Sequence, residues 1–184
     1  MTDRALFFRV TQTGKKRGVV VSSVFVGILW RAGLAQCNLS FAPGEVPARE
    51  AATVLRCLLD NGTRITKTDA TNAFHTICRP AIREELIRQS ASPIFALWNL
   101  FYATPSFVIA GNLRHIISNG VRAGCVSGDR LFRLGLRGPI VNIHRSLGFS
   151  FPPLSVVDDV YFPVSPLTPF SLLLVANSHL LDLG

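Results

Sequence analysis

Asp158 and Asp159 stand side by side in a run that is otherwise apolar and strand-like, Leu154-Ser-Val-Val-Asp-Asp-Val-Tyr-Phe162. Adjacent carboxylates repel, and taking them out of water costs several kcal/mol or raises their pKa values unless a cation or hydrogen bonds compensate. A divalent metal is one such cation. The competing reading is a hairpin tip with both side chains solvated, because Asp is common in turns. A third carboxylate, Asp69, follows the alternating segment Thr63-Arg-Ile-Thr-Lys-Thr and precedes a helical pattern, so it falls where a strand meets a helix. If Asp69 closes one strand and Asp158-Asp159 cap a neighbouring hairpin, three carboxylates converge at one sheet end. Hard oxygen donors suit Mg²⁺, which keeps part of its shell for water and phosphate oxygens. Two such ions roughly 3.5–4 Å apart serve phosphoryl transfer, one at the attacking oxygen and one at the leaving group.

Other chemistries lack their residues. His75, His115, His144 and His179 pair with no cysteine or carboxylate at metal-ligand spacing, and Cys37, Cys57, Cys78 and Cys125 form no Cys-x-x-Cys half-site. Neither a Gly-x-x-x-x-Gly-Lys phosphate loop nor a Gly-x-Ser-x-Gly elbow occurs. The cysteines read as reduced thiols of an intracellular protein, since nothing at the N-terminus resembles a secretory signal. The longest apolar stretch, Gly18 to Trp30, is too short to cross a bilayer and ends at Arg31. A length of 184 residues fits one domain, and 48% hydrophobic content supplies a core, which excludes whole-chain disorder. The formal charge of +8, with Lys and Arg spread along the chain, favours a polyanionic partner, with nucleic acid ahead of an anionic membrane surface.

The elements that must position the carboxylates follow from periodicity and breakers. Residues 1–35 read least clearly: the basic cluster Lys15-Lys16-Arg17, either phosphate-contacting or simply solvated, leads into a β-branched run expected to be a strand. Pro47 opens a helix with an apolar stripe of Val54, Leu55, Leu58 and Leu59, which Asn61-Gly62 stops. After the strand ending at Asp69, a helical pattern places Phe74, Ile77, Ile82 and Leu86 on one side. A helix over 93–102, strands over 106–110 and around 114–117, a turn at Asn119-Gly120 and a short buried helix over about 127–135 precede the aspartate hairpin. The layout is α+β, helices packed on one face of a small antiparallel sheet. The apolar tail, 172–183, ends without a polar cap and reads as a domain cut short.

Three strings carry a resemblance in order and spacing: Lys67-Thr-Asp-Ala-Thr-Asn-Ala-Phe74, Ser118-Asn-Gly-Val-Arg-Ala-Gly-Cys125 and Val156-Val-Asp-Asp-Val160. Together they resemble successive blocks of the reverse transcriptase palm, closest to non-LTR retrotransposons, and the Asp-Ala-Thr-Asn-Ala-Phe form is similar to trypanosomatid-type elements. The likeness covers residues 36–184 and implies an incomplete palm domain, with residues 1–35 a possible fingers remnant, no thumb, and Leu180-Leu-Asp-Leu-Gly184 resembling the start of the next palm block. It implies an RNA-directed DNA polymerase acting on an RNA template, a DNA primer and deoxynucleoside triphosphates with two Mg²⁺ ions, Mn²⁺ being a possible substitute, inside the cell and in the nucleus.

Position by position, the resemblance makes Asp69 and Asp158 metal ligands, adds the carbonyl of Ala70, and sets Asp159 beside them as a weaker or supporting catalytic carboxylate. Ala73 and Phe74 fall at the nucleotide position, where the ring would underlie the incoming sugar and exclude a 2′-hydroxyl. Phe74 equally fits a core position on the helix's apolar face. Gly124 would let backbone approach the nascent base pair, or simply turn the chain. Arg122 would touch a phosphate or stand in solvent. The sequence departs from the family at Ala123, usually glutamine, at Cys125-Val126, and at Val156, usually tyrosine. The alternative is therefore a catalytically inactive retroelement remnant that at most binds nucleic acid.

Overall fold

The computed structural model describes residues 6–10, 16–20, 24–41, 46–69, 73–110, 113–147, 153–157 and 159–164. The apolar tail, the block at 180–184, Ala70 and Asp158 lie outside them. The fold is α+β, with helices and small antiparallel sheets. Contacts group the chain into two compact units, Met1–Ser40 with Phe74–Gly135, and Phe41–Ala73 with Leu136–Gly184.

In the first unit, β1 (Leu6–Val10) pairs antiparallel with β2 (Lys16–Val20), and α1 (Val24–Ala35) follows. The run expected to be one strand is thus divided, and most of it is helical. Burial explains why: Val26, Trp30, Gly33 and Leu34 are buried, a helical spacing, while Val24, Phe25 and Ile28 are exposed. Further along the same unit, one expected helical pattern is split into two. The helices α3 (Ala73–Thr76) and α4 (Arg79–Arg88) are separated by Ile77-Cys78, because Pro80 sits in the first turn of α4 and disfavours continuous helix before it.

Helix α5 (Ser92–Tyr102) buries Ile94, Trp98, Phe101 and Tyr102 at a spacing of one face, against α1 and α4. Its aromatics form the centre of this core: Trp98 stacks on Tyr102 at 4.8 Å between centroids, and Trp30 of α1 meets Phe101 at 6.0 Å and Tyr102 at 6.2 Å. Aromatic pairs in these geometries add to the burial term. Strands β4 (Ser106–Ala110) and β5 (Leu113–Ile117) then form a hairpin.

Helix α6 (Gly128–Leu147) is far longer than the short helix expected, and Pro139 lies within it. Gly135, Gly138 and Pro139 lie along it, yet Leu131, Leu134, Ile140 and Ile143 on either side of them are all fully buried. Apolar burial along both halves outweighs the local cost of the proline.

The second unit contains the sheet that concerns function. Helix α2 (Ala48–Asp60) packs against β3 (Arg64–Asp69) and β6 (Leu154–Val156), and β7 (Asp159–Val164) lies between those strands, giving the antiparallel order β3-β7-β6. No residue of the stripe expected on α2 is buried: Leu55 and Leu58 are half-buried and Val54 and Leu59 exposed, and the helix's buried residue is Ala51, outside that stripe. The amide of Val46 donates to the Ser155 carbonyl at 3.3 Å, which ties the entry of α2 to strand β6.

Candidate functional site

Strands β3 and β7 run in a register that pairs Thr66 with Phe162, Lys67 with Tyr161, Thr68 with Val160 and Asp69 with Asp159. Because side chains alternate across a strand, register positions 67, 69, 159 and 161 share one face, and 66, 68, 160 and 162 share the other. The second face is inside: Val160 and Phe162 are 2% and 1% exposed. The first is open at Lys67 and Asp159, whose side chains are 48% and 30% exposed. The apolar residues around the aspartates thus pay for an ordered strand on one side and leave the charged side to solvent.

The turn between β6 and β7 is short. Val156 pairs with Asp159, so only Val157 and Asp158 lie between the strands. Val157 has φ of 56°, in the left-handed region that a β-branched residue occupies only under strain. Such strain costs of the order of 1–3 kcal/mol and is held in place by the pairing on either side. Asp69 closes β3 and Asp159 opens β7, directly opposite, as the converging-carboxylate arrangement requires of the backbone. The Asp158 position, the Ala70 carbonyl and the Asp69 side chain lie outside what is described. Among the described residues no group of three His, Cys, Asp or Glu side chains could hold a metal.

Asp159 has partners of its own. Lys67 Nζ stands 2.8 Å from Asp159 Oδ1, and the Tyr161 hydroxyl donates to Oδ2 at 3.4 Å. The Lys67 ammonium also lies 5.8 Å from the centre of the Tyr161 ring. Neither Lys67 nor Tyr161 stood out in the sequence. The available signal was the period of two, which puts Lys67 two residues before Asp69 and Tyr161 two after Asp159 on the same face.

In the first unit, the block at 118–125 forms a tight loop around Gly120. Gly120 has φ of 74° and its amide donates to the Ile77 carbonyl at 3.0 Å, while the Val121 amide donates to Phe74 O at 2.6 Å. Gly124 is exposed with φ of 89°, a conformation that disfavours any side chain. Ala73 is buried, and Phe74 is half-buried with one face of its ring stacked on Phe132 at 4.6 Å and 22°. Arg122, expected against phosphate or in solvent, is instead buried, with its guanidinium 5.5 Å from the Tyr102 ring and its amide donating to the Tyr102 hydroxyl at 3.4 Å. The π face of a buried ring attracts the cation there, and burial draws the Arg122 pKa down and pushes the Tyr102 phenol well up.

Arg79 organises this loop, another role the sequence did not reveal. Its Nε donates to Gly120 O at 3.0 Å, and Nη1 donates to Tyr102 O at 3.2 Å and Thr104 O at 3.3 Å. The guanidinium thus ties the 118–125 block to the C-terminus of α5, where its charge complements the helix dipole. Desolvation lowers its pKa. Replacing Arg79 by Met leaves three carbonyls without this donor and is expected to cost about 3 kcal/mol in urea unfolding. Arg79→Lys recovers only part, because one ammonium cannot reproduce the planar fork.

The four cysteines are free, and among the described residues no helix is long and apolar enough to cross a membrane. No protein-family model matches the chain, and no curated protein matches it. A solved structure does: an apo telomerase from Candida tropicalis, truncated from its C-terminal domain, aligns at a TM-score of 0.57 and 12% identity, over 90% of this chain and 44% of that one. At that identity the likeness shows the fold alone, one this chain shares with that telomerase chain. This chain spans less than half the length of that telomerase chain.

Proposed function

We propose that this chain is a reverse transcriptase palm that adds deoxynucleotides to a primer 3′-hydroxyl on an RNA template. The observation that carries the reading is the pairing of Asp69 with Asp159 at one end of the β3-β7-β6 sheet, one residue from Asp158. The telomerase-like fold and the ordered strings around Asp69, Gly120 and Asp158 support it. An all-oxygen donor set at strand ends fits Mg²⁺ or Mn²⁺, and the Lys67 ammonium already seated on Asp159 is a stand-in for positive charge at this place. Asp69 and Asp158, with the Ala70 carbonyl, would hold the ions. Once bound, they supply charge neutralisation at the transferring phosphoryl group and acidify the attacking hydroxyl.

The chain's own residues do the rest. By the resemblance, Asp159 would support the ligands, Phe74 would select against a 2′-hydroxyl, and the left-handed backbone at Gly124 would admit a close approach of the base pair. The non-LTR, trypanosomatid-type assignment rests on the Asp69-Ala-Thr-Asn-Ala-Phe74 string, and a nuclear location follows from it. A basic chain of this kind binds phosphates with counterion release, so affinity falls steeply with salt.

The test is primer extension on an RNA template, with Mg²⁺ and with chelator, beside a salt titration of binding to the same RNA–DNA hybrid. Extension that needs Mg²⁺ supports a polymerase. Salt-sensitive binding without extension in any metal supports the inactive remnant, which the replacement of the usual glutamine by Ala123 favours.

A further inference from the structure

We propose that Lys67 is a built-in counter-ion that competes with divalent cations for the carboxylate cluster, so that metal entry is an exchange in which the ammonium leaves Asp159. The inference rests on the metal reading above. Asp69 and Asp159 face each other in register with Asp158 adjacent, and like charges directly opposite on neighbouring strands repel. Lys67 lies two residues before Asp69, on the same face and diagonal to Asp159. Its ammonium takes one oxygen of that carboxylate at 2.8 Å while Tyr161 holds the other at 3.4 Å, and the Tyr161 ring flanks the ammonium. Both oxygens of Asp159 therefore have a partner within the chain. A divalent ion that draws on this carboxylate, or merely sits beside it, meets a positive charge within a few ångströms. Its affinity is then lower than the carboxylates alone would give.

The ion pair is half-exposed, a setting in which such pairs add little to stability, so its removal leaves a folded protein. That separates the two roles Lys67 could have, because they differ in sign. As a competing counter-ion, Lys67→Met tightens metal binding by about tenfold, the scale of one neighbouring unit charge at a partly solvated site. As a plain structural contact, its loss leaves metal binding unchanged or weaker.

The experiment is Mn²⁺ binding to the whole chain, read by the electron paramagnetic resonance of free Mn²⁺, for the wild type, Lys67→Met, Lys67→Arg and Asp158→Asn, with thermal unfolding of each. We expect Lys67→Met to bind about tenfold tighter at an unchanged melting temperature, Lys67→Arg to bind like the wild type, and Asp158→Asn to lose binding. Equal or weaker binding by Lys67→Met, with Asp158→Asn still losing it, overturns the counter-ion role and leaves the metal reading standing. Absence of Mn²⁺ binding in every protein overturns both.

Discussion

Asp69→Ala and Asp158→Ala are each expected to lower Mg²⁺-dependent primer extension by about a thousandfold or more, measured as single-turnover nucleotide addition. The magnitude follows from the charge these carboxylates gather. Phosphoryl transfer is catalysed by positioning and by neutralising charge that develops in the transition state, and removing one preorganised electrostatic element of that kind costs two to three orders of magnitude. On the proposed two-metal reading, loss of a ligand also displaces the cation it would hold. Asp159→Asn is expected to fall short of this, by about ten- to a hundredfold, because on the proposed reading Asp159 stands beside the ligands rather than among them and acts through its neighbours. Equal losses at all three positions would contradict that division of labour. Binding of an RNA–DNA hybrid should survive all three substitutions.

Gly120→Ala is expected to be the most damaging single substitution for the fold, destabilising by more than about 4 kcal/mol, a magnitude reserved for a few mechanisms. Two act together here. The φ of 74° disfavours any side chain, and a Cβ at this position would fall on the His75 backbone carbonyl. Relief by movement is blocked, because Gly120 N is bonded to Ile77 O and Gly120 O to Arg79 Nε at 3.0 Å each. A loss of this size lowers the melting temperature by roughly 8–16 °C for a chain of this length. Gly62→Ala is the matched control: its φ of 76° carries the same conformational cost, yet nothing lies near its Cβ position. The difference between the two variants isolates the steric clash.

Much of the framework around these residues was legible. Alternation in Thr63 to Asp69 and the breakers at Asn61-Gly62 marked β3 almost to the residue, and the apolar spacing over 93–102 marked α5. The pattern failed where one signal masked another. In α1 the β-branched run reads as strand, although the 26-30-33-34 spacing that packs it is helical. In α6 the Gly and Pro residues conceal a helix that buried Ile140 and Ile143 sustain. At the site, the backbone meeting of Asp69 with Asp159 could be foreseen from strand ends. The side-chain partners could not: which cation reaches Asp159, and whether Arg122 is solvated, depends on neighbours remote in sequence, Tyr161 with Lys67 in one case and Tyr102 in the other.

The two-residue turn at Val157-Asp158 sets the register on which the placement of Asp159 depends. One inserted or deleted residue there would shift β7 by a single step against β6 and β3, turning Val160 and Phe162 to solvent and Asp159 into the core. A length change in this turn is therefore expected to cost stability even if the carboxylates take no part in catalysis.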